Sequence, residues 1–85
     1  MIKLIAVEPK AGYQLALSFS DGSGGVFDFK PFVDTDTPLT APLRDPALFA
    51  RHYIELGALA WPNGLDFSAE SLRQRLQDVG ELARG

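Results

Sequence analysis

Tyr13, Leu15, Leu17 and Phe19 alternate with Gln14, Ala16, Ser18 and Ser20, and no helix can keep a period of two on one face. The run demands a strand with one buried face, and a strand needs neighbours for its backbone groups. Asp21-Gly22-Ser23-Gly24-Gly25 comes next. Asp-Gly favours a tight reversal, the extra glycines permit a bulge, and Val26 to Phe29 resumes the extended pattern. Upstream, Ile2 to Glu8 carries apolar residues at both parities and runs into the turn Pro9-Lys10-Ala11-Gly12, which fits a strand ahead of the alternating one. Three antiparallel strands in meander order are the expected start of the fold.

From Lys30 to Asp45 the pattern breaks, with Pro31, Pro38 and Pro42 and the polar run Asp34-Thr35-Asp36-Thr37. Phe32, Val33, Leu39 and Leu43 give this stretch apolar anchors, so it reads as an ordered connector pinned across the sheet. Asp45-Pro46 then has the chemistry of a helix start, an acceptor for orphan amides followed by the residue that needs no amide of its own. A short helix from Pro46 to about Arg51 would turn Leu48 and Phe49 inward. Tyr53-Ile54-Glu55 and Ala58 to Trp61, joined through Leu56-Gly57, read as a second hairpin. Trp61-Pro62-Asn63-Gly64 forces a sharp bend. Ser68 and Glu70 then open a helix expected over about 69–82, with Leu72, Leu76, Val79 and Ala83 at helical spacing and Gly80 weakening its last turn. The expected class is α+β: an antiparallel meander plus a second hairpin, with one short helix and one C-terminal helix packed on the sheet.

Length and composition narrow the function classes. Eighty-five residues form a single domain, 1–85, and 46% hydrophobic residues suit a packed core. Without cysteine there is no disulfide, thiolate nucleophile or Cys-based zinc site. A net charge of −3, with eight basic residues scattered along the chain, argues against a phosphate-tracking stripe. The apolar start is too short for a signal peptide and no run approaches a membrane span, so a cytoplasmic protein is expected, with no membrane partner.

Individual residues admit a sharp and a bland reading. His52 is the only histidine. As a general base it needs a carboxylate or hydroxyl in reach, and Asp66, Asp28 and Ser68 can be named only as options, whereas a helix-terminal position explains it more simply. Asp34-x-Asp36 lacks the further ligands and central glycine of a calcium loop, and Asp21 to Gly25 leads into a strand rather than a helix, against a phosphate loop. No catalytic residue, metal site or cofactor site is assigned. Trp61 reads as a core plug before it reads as an interface hot spot. Asp28 and Asp66 stand outside the strand pattern, as turn clamps or as ligand contacts.

Taken in order, these punctuation points resemble a bacterial family known as domain of unknown function 2442. The residues that carry the resemblance are Gly12-Tyr13-Gln14-Leu15-Ala16-Leu17-Ser18-Phe19, Asp21-Gly22 with Val26-Phe27-Asp28-Phe29, Pro42-Leu43-Arg44-Asp45-Pro46-Ala47-Leu48-Phe49, and Trp61-Pro62-Asn63-Gly64-Leu65-Asp66-Phe67 with Leu72. They span about residues 5–72, and the Trp-Pro-Asn-Gly-x-Asp order is the most specific of them. The resemblance implies an α+β domain with no cofactor and no established catalytic activity. It also implies a partner, since members sit in two-gene units read as toxin–antitoxin pairs. Longer relatives carry a helix-turn-helix domain after this one; the sequence ends at Gly85 without it, which makes nucleic-acid binding by this chain alone the lesser expectation.

The expected function is a non-catalytic protein-interaction domain, an antitoxin-like or regulatory partner of a small cognate protein. A homodimer is the other association considered. The candidate interaction residues are Trp61, Pro62, Asn63, Gly64, Asp66 and Asp28, together with a free sheet edge. The alternatives are a DNA-binding or autoregulatory protein, whose affinity would fall steeply with salt, and a small enzyme using His52.

Overall fold

In the computed structural model, which describes residues 1–84, the alternating run forms strand β2 (Gln14–Phe19). It pairs antiparallel with β1 (Leu4–Pro9) on one side and β3 (Ser23–Asp28) on the other. Leu15, Leu17 and Phe19 are buried as the period of two requires. Strand β3 starts three residues earlier than expected. The Asp21 carboxylate accepts hydrogen bonds from the Ser23 amide and hydroxyl, which closes the loop tightly and lets Ser23 pair at once.

The connector is ordered, as its apolar content demanded, but it is built from more structure than expected. Helix α1 (Lys30–Val33) and a 3-10 turn over Ala41–Arg44 bury Val33 and Leu43. The Arg44 guanidinium ties them together by donating to the carbonyls of Val33 (3.0 Å), Thr35 (3.3 Å) and Asp34 (3.4 Å). Leu39 differs from expectation: it is exposed, and its carbonyl rather than its side chain is the anchor. Helix α2 (Pro46–Phe49) is shorter than the expected 46–51, with Asp45 accepting from the Ala47 amide at its start.

A second sheet follows. Strands β4 (Tyr53–Glu55) and β5 (Ala58–Ala60) make the expected hairpin, and Leu56 and Gly57 both adopt positive φ (51° and 79°) in its turn. The bend at Trp61–Gly64 then returns the chain as a third strand, β6 (Asp66–Phe67), beside β5. The turn of the hairpin abuts the first sheet, where the Leu4 amide donates to the Gly57 carbonyl at 2.9 Å.

Helix α3 covers Ala69–Asp78, capped by the Ser68 hydroxyl, and stops short of the expected 82. Gly80 takes φ 74° just past its end. The Gly80 amide donates to the Gln77 carbonyl and the Glu81 amide to the Leu76 carbonyl, the paired bonds of a glycine-terminated helix. Gly80 therefore ends the helix instead of weakening its interior. The freed chain pairs β7 (Ala83–Arg84) against β3, giving the first sheet the order β1-β2-β3-β7. The fold is α+β, and one aromatic core joins its two sheets. The Phe29 ring lies 4.8–6.3 Å from those of Phe27, Phe32, Phe49, Trp61 and Phe67. No helix of the described residues is long and apolar enough to cross a membrane.

Candidate functional site

The structure separates the residues singled out in the sequence. Trp61 is 1% exposed and its indole N–H donates to the Phe49 carbonyl at 3.0 Å, so it is a core residue and is withdrawn from the contact candidates. Asn63 bridges two loops, donating to the Leu39 carbonyl at 2.9 Å and accepting from the Leu65 amide. Gly64 forms the bend by donating its amide to the Trp61 carbonyl. Pro62, Gly64 and Asp66 are exposed. Most of the Trp-Pro-Asn-Gly-x-Asp motif is thus engaged in holding the fold. Asp28 lies elsewhere, at the end of β3, where its carboxylate accepts from the Lys30 amide at 2.9 Å and fixes the entry to α1.

Asp28 also lines a groove of about 690 Å³ between the end of β3, α1 and the C-terminal half of α3. The β3 wall is Val26 and Phe27, α1 gives Pro31 and Phe32, and Val79, the residue just past α3, is 61% exposed. Exposed apolar residues gathered in one concavity are the usual mark of a binding surface. Four charged side chains border it: Asp28, Asp78, Glu81 and Arg75. Arg75 is already engaged, its guanidinium carbon 4.9 Å from the Phe32 ring centre and its Nε donating to the Ser71 hydroxyl. None of the three carboxylates is in an ion pair among the described residues. Asp78 Oδ1 accepts from Gln74 Nε2 at 2.9 Å, and with three acids to one arginine the groove presents an apolar floor under net negative charge.

Of these residues, only Asp28 stands among the contact candidates visible in the sequence. The helical spacing places Val79 on the core-facing side, but α3 ends at Asp78 and leaves Val79 exposed.

His52 sits beside a smaller cavity of about 290 Å³ with Tyr13, Gln14 and Phe49. Its Nδ1 lies 3.3 Å from the Phe49 carbonyl and its ring packs near Phe49 and Trp61. The Tyr13 hydroxyl is committed to the Arg44 carbonyl, and no carboxylate lines this cavity. Neither Asp66 nor Asp28 is among its lining residues.

Asp21 is a perturbed acid. Its bonds from the Ser23 hydroxyl and amide, reinforced by the Arg73 guanidinium at 2.9 Å, lower its carboxyl to about 2. This cluster ties the β2–β3 loop to α3. Among the described residues, no group of three or more His, Asp or Glu side chains could hold a metal ion.

A family described as protein of unknown function (DUF2442) matches residues 4–77, from the start of β1 into the last turn of α3. No curated protein and no solved structure matches the chain.

Proposed function

This chain belongs to the family of unknown function DUF2442, and from that premise we propose that it is a non-catalytic docking module for a small cognate protein. The groove bordered by Asp28, Asp78 and Glu81 supports this reading most directly, because it joins exposed apolar surface to negative charge that the chain leaves unpaired. An antitoxin-like or regulatory role follows as the finer form of the proposal, with the groove replacing the Trp61–Phe67 segment as the primary contact. His52, packed on aromatic rings beside a cavity without a carboxylate, gives a small enzyme less support.

The test uses the tagged full chain as bait in nuclease-treated lysate over a salt series, beside a Val79→Lys variant. Val79 is exposed enough for the substitution to leave the core alone. One small protein retained in equal amount by the wild type and lost by V79K is the expected result. Retention of nucleic acid with steep salt dependence, or of nothing, overturns the docking reading.

A further inference from the structure

The wall of the groove formed by β3 is an unfinished strand edge. In an antiparallel pair, successive residues point their backbone groups alternately toward one neighbour and away from it. The Phe29 amide donates to the Tyr13 carbonyl at 3.0 Å, and the register sets Asp28 opposite Gln14 and Phe27 opposite Leu15. The odd-numbered residues of β3 therefore bond back to β2. Gly24, Val26 and Asp28 direct their N–H and C=O groups to the other side.

Strand β7 answers only the first of these, pairing Ala83 with Gly24 and Arg84 with Ser23. The reason lies in the chain just before it. The turn at Gly80 holds the Glu81 amide on the Leu76 carbonyl, and the Glu81 carbonyl passes over Gly25, where an added Cβ would lie 2.3 Å from its oxygen. Residues before Ala83 are thus committed to the end of α3 and cannot extend the ladder. No backbone bond joins Val26 or Asp28 to anything beyond β2 among the described residues.

We propose that this open edge at Val26 and Asp28 receives one added strand from a partner: an extended segment bearing apolar side chains and a lysine or arginine. The inference rests on the docking reading above and specifies how the partner is held. Two outward-facing residues offer up to four main-chain bonds, which fix direction and register but are too few to carry affinity alone. The apolar walls at Phe32 and Val79 take the alternate side chains of an added strand. Asp78 and Glu81, outside any ion pair and outweighing Arg75 together with Asp28, favour a basic residue, and an acidic one meets repulsion.

Two pools of twelve-residue peptides test this with the intact chain, one placing Lys or Arg among Val, Ile and Leu, the other placing Glu at the same positions. Amide hydrogen exchange followed by NMR is the readout. In the free protein the amides of Val26 and Asp28 should exchange rapidly while those of Phe27 and Phe29 are protected. The basic pool should slow Val26 and Asp28 by about tenfold or more, and the acidic pool should not. The double charge reversal D78K/E81K, on exposed side chains, should exchange the preferences of the two pools. Binding that leaves Val26 and Asp28 unprotected overturns strand addition, as does failure of both pools to bind. Equal protection by both pools overturns the charge selection. Protection that grows with protein concentration and without peptide assigns the edge to a second copy and also overturns the proposal. If the wild-type bait keeps its partner while these amides stay unprotected in the complex, the docking reading stands and the added strand falls; a bait that keeps nothing removes the docking reading itself.

Discussion

Replacing Trp61 by alanine removes the largest fully buried side chain of the domain. Its ring is surrounded by Phe29 at 5.6 Å, Phe49 at 5.7 Å and Phe67 at 6.1 Å, so the void opens where the two sheets meet. A buried Trp→Ala change costs about 3–5 kcal/mol. A chain of 85 residues has a total stability of roughly 4–13 kcal/mol at the usual ~0.05–0.15 per residue. The change should therefore remove at least about a quarter of that stability, and at the lower end of the range all of it. Trp61→Phe separates packing from hydrogen bonding. The Phe49 carbonyl that accepts the indole N–H also accepts from the His52 amide at 3.4 Å and lies 3.3 Å from His52 Nδ1, so no acceptor is orphaned. Its cost should stay near 1–2 kcal/mol, set by one lost hydrogen bond and the smaller ring. Urea unfolding followed by far-ultraviolet circular dichroism measures both, since the variants lose the only tryptophan. A Trp61→Ala cost below about 1 kcal/mol with an unchanged denaturant slope would refute the core assignment and return Trp61 to the list of contact residues.

Asp28→Ala should destabilise by about 1 kcal/mol through loss of its bond to the Lys30 amide, whereas Asp66→Ala, on an exposed side chain, should stay within about 0.5 kcal/mol; equal effects in thermal melts would contradict these placements. Gly80→Ala meets no atom within 4 Å, so its cost is the conformational ~1–2 kcal/mol of a left-handed residue. Gly57→Ala adds a collision with the Lys3 side chain at 2.8 Å and should exceed it by a further ~1–3 kcal/mol in the same urea titration. Asp21 titrates at about 2 when folded, below the ordinary 3.8, so the unfolded chain binds the proton more readily between those values. Its stabilisation is present above pH 4 and is lost as pH falls toward 2. Urea midpoints from pH 5 down to 2 should drop more steeply for the wild type than for Asp21→Asn, and parallel curves would remove the Ser23 and Arg73 contacts as the cause.

What could be read from the sequence was set by local chemistry. The period of two in β2, the capping acceptors Asp45 and Ser68, and the bend at Trp61–Gly64 each depend on residues within one turn or one hydrogen bond of each other, and each stands in the structure. Gly80 shows where this stops. A glycine near the end of an apolar helical pattern reads as a weak interior position or as a terminator, and only the Leu76 carbonyl waiting for the Glu81 amide decides between them. That decision reaches far. By ending α3 at Asp78 it uncovers Val79, aims Ala83 at Gly24, and leaves Val26 and Asp28 without a strand on the side away from β2. The groove is assembled from β3, α1 and α3, with Val26 and Asp78 more than fifty residues apart and side chains that form no pattern in sequence. Asp28 was visible because it departs from strand periodicity; Asp78 and Glu81 look like ordinary solvated acids until the fold sets them around apolar walls. The Trp-Pro-Asn-Gly-x-Asp motif, conspicuous in sequence, is spent mainly on geometry: Trp61 fills the core, Asn63 clamps Leu39, and Gly64 makes the bend. In this domain the distinctive motif serves the fold, and the proposed contact surface is the strand edge that the same fold leaves unpaired.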